Sequence, residues 1–482
     1  MSDKAASSRG SAASSAGHWP TVIFVLIWSL IGAYIAVYFN LRIALPFFAV
    51  TGALLLILPF KTVFLAVVGF GIAHNPTYLN VFVISIGGFN AWFIELFMIF
   101  MVAVIVIELV TKRLKIETSP MFYVIGLFLI STLIQTARGF AYGYDISAVR
   151  TSLRNAIYPI LIVPCALYFG SGGKTRKFIG ALLLGWIGAL IVFFLMYFGI
   201  FSKGGVSGFG RLMWPPTQNI MLFLPMLLVL LSDADTKFRE NMVYWAIMLV
   251  SVAVLIAMQT RYVYAIVSIQ IAMMIVIIGL TRPRGQRLIF VLKITVSLLA
   301  AMLVGVIILR IIRGEGFNLF IHNVVTRALS LFEWRKDVSI ASRRHQILES
   351  IKLVQDNWII GQGVGVKWHS LFSWGESRID SAIFMVLGHQ GLVGIVLFFA
   401  IFALWFQRGV YLLLNHSSIE NPLVRAFSIA QPVYVFAVVA NTVGSAAAYV
   451  LPANSILIIC SAMISEKIYR EHRKTKFIPK EF

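Results

Sequence analysis

The sequence predicts an all-α fold: a polytopic integral membrane protein with about 12–14 transmembrane helices and one large extracytoplasmic loop. Three observations lead there. Hydrophobic residues make up 60% of the chain and charged residues only 12%, about half the charge share of a soluble domain. Several apolar runs exceed the roughly 18 residues needed to cross a hydrocarbon core, and they occur along the whole length, which leaves no room for a soluble catalytic domain. The third observation is charge placement. Forty Lys and Arg against 19 Asp and Glu give a net charge of +21, a balance that elsewhere raises the question of nucleic acid. Here the basic residues fall in short connections: Lys112, Arg113 and Lys115; Lys174, Arg176 and Lys177; Arg282, Arg284 and Arg287; and a tail with Lys467, Arg470, Arg473, Lys474 and Lys476. That is the positive-inside pattern, so no nucleic acid is expected as a partner.

Residues 1–18 are Ser/Ala/Gly-rich and are expected to form a disordered cytoplasmic N-terminus. The run 21–39 is long for a signal-peptide core and reads as a retained span. Further apolar runs follow at 43–59, 62–73, 91–110, 120–136, 156–170, 179–200, 217–232, 242–258, 262–280 and 289–312, closing a transmembrane region over 19–312. Residues 381–465 hold the last spans, at 381–405, 427–444 and 447–465, and 466–482 form a basic cytoplasmic tail. Fourteen crossings put both termini inside, and with that parity every basic short connection is cytoplasmic. Cys165 and Cys460 both lie in apolar runs and imply neither a disulfide framework nor a metal cluster.

Residues 313–380 stand apart as a 68-residue extracytoplasmic loop with nine basic and seven acidic residues, close to charge balance. A loop of that length without structure is uncommon. Within it, Ile347, Leu348, Ile351 and Val354 recur at helical spacing, which predicts an amphipathic helix over 342–355 at the membrane surface.

Several arginines sit where topology does not require them. In "YDISAVRTSLRNAIYPI" Arg150 and Arg154 are one helical turn apart, just before an apolar run. "AMQTRYVYAIV" places Arg261 at an outer turn between two spans. An arginine at the edge of hydrocarbon costs a few kcal/mol, which favours a site with an anionic partner over the alternative of snorkelling. "GFGRLMWPPTQNIMLF" adds Arg211 before a span that opens with Gln218 and Asn219; a tight turn plus a helix start explains it equally well. Asp380 stands where the large loop enters a span, either as an N-cap or as a reactive carboxylate, or as both. Arg378, two residues away, points elsewhere on a helix. Gly361, Gly363 and Gly365 in "IIGQGVGVKW" lack the Gly-Lys-Ser/Thr of a phosphate loop and indicate a turn with close backbone approach. Trp358, Trp368 and Trp374 around it suit interfacial anchoring or stacking on a sugar ring. Asp233 and Asp235 in "SDADT" have metal-binding spacing but lie in a cytoplasmic turn, where a solvated loop is the simpler reading.

Taken in order, four pieces of the chain resemble the O-antigen ligase and polymerase superfamily of bacterial polysaccharide assembly: "RTSLRNAIYP", "RLMWPPTQN", "TRYVYAIV" and "DNWIIGQGVG…DSAIFMVLGHQGLVG". The likeness covers roughly residues 135–400. In ligases of this family the last segment carries a histidine eleven residues before a Gly-Leu-x-Gly; here Gly391 opens "GLVG" and Asp380 occupies the histidine's place, which points to a chain polymerase. His322-Asn323 imitates the ligase pair outside that context.

The resemblance implies a GT-C-like membrane enzyme in the bacterial inner membrane, its active site facing the periplasm. It implies transfer of a glycan from undecaprenyl diphosphate to an acceptor hydroxyl with inversion and without metal or cofactor. Asp380 or His369 is the expected base, with His345 a further candidate; Arg150, Arg154, Arg211, Arg261, Arg344, Arg378 and Trp368 are expected on the pyrophosphate and glycan. The expected partners are the lipid-linked oligosaccharide, the growing glycan chain, membrane lipids and a chain-length regulator protein. An O-antigen ligase transferring the glycan to lipid A-core or another acceptor, a lipid-linked oligosaccharide flippase and an anion transporter are the alternatives; the last two place their sites near the bilayer midplane.

Overall fold

The computed structural model describes residues 50–54, 56–73, 83–86, 89–111, 114–197, 217–232, 238–281, 287–329, 338–368, 381–445 and 452–477, with a few isolated positions besides. The predicted spans 21–39 and 43–59 lie largely outside these residues. Helix α1 (Phe60–Ala73) leads to a hairpin of β1 (Val83–Ile86) and β2 (Phe89–Trp92), then to α2 (Phe93–Val110) and α3 (Pro120–Ala141). Next come α4 (Ile146–Ala156), a 3-10 turn (Tyr158–Leu161), α5 (Ile162–Gly170) and α6 (Thr175–Tyr197). Helices α7 (Thr217–Ser232), α8 (Phe238–Met258), α9 (Arg261–Thr281) and α10 (Arg287–Arg313) follow. The large loop holds α11 (Phe317–Leu329) and α12 (Val338–Leu353), and α13 (Ala382–Leu414), α14 (Pro422–Gly444) and α15 (Pro452–Phe477) close the chain.

Among the described residues eight helical segments are long and apolar enough to cross a membrane, and two shorter apolar helices accompany them. The chain is a multi-pass, predominantly helical membrane protein. The hairpin is an addition to the all-α expectation. Its strands pair antiparallel, Val83 with Trp92 and Ile86 with Phe89, and β2 takes the first residues of the run 91–110 that reads as helical in sequence. A second difference concerns 156–170. The crossing begins at Ile146 and is composite, α4 and α5 joined through the 3-10 turn that Pro159 favours, so Arg150 and Arg154 belong to its first segment.

Sequence chemistry explains the helix starts. Ser119 accepts from the Phe122 amide at 3.1 Å with Pro120 in the first turn, and Asn421 accepts from the Leu423 and Val424 amides ahead of α14. Asp145 caps α4 through the Ala148 amide at 3.1 Å.

The bundle is radially ordered. All of α7 is buried, as expected for a helix apolar on every side. Pro225 inside it donates no hydrogen bond to the Met221 carbonyl one turn back, and the Gln270 amide of α9 donates to that carbonyl instead, at 2.9 Å. Trp186 of α6 stacks on Phe223 of α7 at 5.9 Å and donates to Ser251 of α8 at 3.1 Å. At the periphery, α10 presents Leu288, Leu292, Val296, Leu299 and Leu303 outward, a face suited to lipid. Helices α1 and α6 touch through Gly69 and Gly185, where a side chain on Gly185 would meet the Gly69 carbonyl at 2.5 Å.

The two ends of the bundle differ in charge. Lys467 pairs with Glu117 at 2.7 Å, Arg470 donates to the Thr118 carbonyl at 2.7 Å, and Lys61 donates to the Ser171 carbonyl. Those contacts bring the loops around Lys115 and Lys174 and the basic tail to one end, here the basic end. The tail is not separate from the last helix, because α15 runs unbroken to Phe477, pinned by Glu117 and by Lys467 to Glu471 within the helix. The opposite, distal end carries the hairpin, the large loop and the candidate site.

Candidate functional site at the distal end

Helix α13 is broken at Gly391, whose φ of 63° and ψ of −155° are closed to other residues. A break strands backbone groups on both sides, and in an apolar bundle each needs a partner. The glycine loop supplies them. Gln362 and Gly363 amides donate to the carbonyls of Gly388 (2.9 Å) and His389 (3.1 Å), while Leu392 and Val393 amides donate to Trp358 (2.9 Å) and Ile359 (3.0 Å). Such contact needs bare backbone, since a Cβ on Gly361 would stand 2.5 Å from the Gly391 nitrogen. The segments "IIGQGVGVKW" and "GHQGLVG" therefore form one unit.

Helix α3 clamps the same loop. Arg138 donates through Nη1 to the carbonyls of Ile360 (3.1 Å) and Gly361 (3.2 Å) and to Gln135 Oε1 (2.7 Å), and through Nη2 to the Tyr142 hydroxyl (2.6 Å). The Val364 amide donates to the Gln135 carbonyl at 2.9 Å, and the Gln390 amide of α13 donates to Thr132 at 2.9 Å. Tyr144 donates to the Gln362 carbonyl at 3.0 Å; burial and the neighbouring Tyr142 raise its pKa, Arg138 opposes them, and the phenol stays a donor at neutral pH. Trp368 is buried with its ring 5.3 Å from that of His389, and a side chain on Gly388 would strike the indole at 2.7 Å.

The predicted arginines divide between two sectors. Arg150 and Arg154 share α4, which packs on α3; Arg150 is exposed, whereas Arg154 is half-buried and grips Glu95 of α2 bidentately, Nη2 to Oε2 at 2.6 Å and Nε to Oε1. Arg261 opens α9 after Gln259, which has a φ of 46°, and α9 packs on α7, α10, α11 and α14. Between the sectors runs α13, against α3 on one side and α14 on the other. The hydroxyl of Ser381, its N-cap, donates to the Thr442 carbonyl at 3.2 Å. Arg344 lies exposed on α12. Asp380, His369, Arg378 and Arg211 lie outside the described residues.

The predicted surface helix is α12, where Gln346 and Ser350 face the protein and Leu348 and Ile351 are exposed. With Trp358, Ile359 and Ile360 they form an apolar exposed strip at the distal end. Among the described residues no group of His, Cys, Asp and Glu is arranged to hold a metal ion, and Cys165 and Cys460 are buried free thiols.

Glu95 and Arg138 were not singled out from sequence, although both carried a signal. Glu95 is a carboxylate in the first turn of an apolar helix, and Arg138 is an arginine at the distal end of a span, the property that drew attention to Arg261. No protein-family model matches the chain and no curated protein is found similar to it.

Proposed function

We propose that this protein is a membrane glycosyltransferase of polysaccharide assembly, transferring a glycan from undecaprenyl diphosphate to an acceptor sugar hydroxyl at the extracytoplasmic face, and that it acts as a chain polymerase. One observation carries the reading. The helix that follows Asp380 lies between a sector holding Arg138, Arg150 and Arg154 and a sector holding Arg261, all at the end away from the basic loops.

The chemistry asks for little more. An acceptor oxygen attacks the anomeric carbon, the bond from that carbon to the diphosphate oxygen breaks, and the electron pair leaves with the lipid diphosphate. Asp380, or His369, takes the acceptor proton. Arginine stabilises the departing charge with a planar, permanently charged fork. One direct displacement inverts the anomeric centre. Trp368, packed between the glycine loop and α13, supports the wall on which the glycan lies.

Purified protein is to be given a lipid-diphosphate oligosaccharide in the presence of chelator, and the products sized on a gel. Polymer is expected from wild type, and at least a hundredfold less from Arg154→Ala, Arg261→Ala or Asp380→Asn at equal protein level. Wild-type polymer from all three variants would refute the site. Movement of the lipid-linked substrate across vesicles without any transfer would replace the enzyme by a transporter.

A further inference from the structure

Gln218, Gln259 and Asn441 are fully buried, and among the described residues neither the oxygen nor the nitrogen of any of these three amides has a hydrogen-bond partner. The Thr217 hydroxyl is in the same state. An amide without partners inside an apolar bundle is costly, and leucine or methionine would fill the space without that cost. Three such amides at one end of the molecule call for a guest that bonds to them.

Their placement is specific. Gln259 occupies the α8–α9 turn two residues before Arg261. Thr217 and Gln218 open α7, which packs on α8, α9 and α14. Asn441 adjoins Thr442, whose carbonyl holds Ser381, the neighbour of Asp380. Gln270 of α9 bonds to Met221 of α7 and reaches Val433 of α14, which sets a common level across the three helices. From there, at about 1.5 Å per residue, Gln218 stands roughly 5 Å and Asn441 roughly 12 Å toward the distal end. The amides thus descend from the distal rim to the first turn of α7.

An amide offers a donor and an acceptor and no charge, so the set does not select an anion. It suits a ligand whose groups both donate and accept, as sugar hydroxyls do. We propose that Gln218, Gln259 and Asn441 form a binding site for a neutral glycan reaching in from the distal end. The inference deepens the function proposed above and rests on it for the glycan being the one transferred, though not for its binding.

The test uses the full-length protein in detergent, a panel of free neutral di- and trisaccharides, and two readouts, the melting temperature and direct binding. At least one saccharide is expected to bind wild type and raise its melting temperature. Gln218→Met, Gln259→Met and Asn441→Leu are expected to melt no lower than wild type and to bind at least tenfold more weakly, since the apolar side chain removes an unsatisfied group along with the ligand contact. Should one of them fail to accumulate, the shorter Gln218→Asn, Gln259→Asn or Asn441→Ser takes its place with the same expected loss of binding. Binding within twofold of wild type in all three variants overturns the site, as does the absence of binding by any saccharide to wild type. Variants that melt several degrees lower in step with their loss of binding also overturn it, because the amides then hold structural water. Saccharide binding lost in the variants without any glycan transfer by wild type leaves the inference standing and removes the proposed reaction. Transfer with an unchanged KM for the acceptor in the variants does the opposite.

Discussion

Arg154 already has a carboxylate on its fork, because Glu95 meets two of its nitrogens in a half-buried position. In the proposed reaction a lipid diphosphate approaching this guanidinium would have to compete with Glu95, so the carboxylate would set how tightly the donor is held. Replacing Glu95 by Gln keeps the shape and removes the competing charge. The KM for the lipid-linked donor is expected to fall about threefold or more, a change of roughly 0.7 kcal/mol, within the range of partly exposed ion pairs. Arg154→Lys is expected to raise the same KM at least tenfold, since a point charge does not reproduce a bidentate fork. Steady-state kinetics with reconstituted protein measures both, and equal KM values in wild type and Glu95→Gln would show that the pair is purely structural. From the sequence, Arg150, Arg154 and Arg261 stood out as cations at the wrong end of spans. Glu95, 59 residues from its partner, had no local feature that tied it to Arg154.

At the scale of elements, the break in α13 is where backbone chemistry and site meet. The loop residues 358–363 replace the helical hydrogen bonds that Gly391 interrupts, and they do so only because both backbones are bare at the contact. A Cβ at position 391 would lie 2.4 Å from the Gly361 nitrogen, and the backbone there is one that only glycine adopts freely. Gly391→Ala is therefore expected to destabilise by roughly 3 kcal/mol or more and to free the glycine loop for proteolysis near Gly361. Thermal melting in detergent and limited proteolysis read this out, and a variant that melts with wild type would mean the break repacks as regular helix. The glycine run was legible in sequence as a turn with close approach, but not what it approached. The surface helix was legible as an element with an apolar face, and Leu348 and Ile351 do stand outward, but that Gln346 and Ser350 of α12 would be buried against the protein had no signal in the sequence.

For the whole molecule, the prediction concerns polarity. The basic end and the distal end are expected on opposite membrane faces, and the native Cys165 and Cys460 are buried, which leaves a silent background for labelling. Arg150→Cys in intact cells is expected to react with a membrane-impermeant maleimide, and Lys174→Cys only after permeabilisation. Reaction of both from the same side would contradict the arrangement. The sequence by itself determined that the chain crosses a membrane repeatedly, which connections share a face, and where the unusual loop lies. Those are one-dimensional consequences of an apolar solvent that demands long hydrophobic runs with their hydrogen bonds satisfied inside each helix. Only the tertiary structure decided that the glycine loop splices into α13, that Arg138 holds it from 223 residues away, and that Glu95 occupies Arg154. Such pairings join segments with no local signal in common, and they arise where packing leaves polar groups with one another as their nearest relief from hydrocarbon.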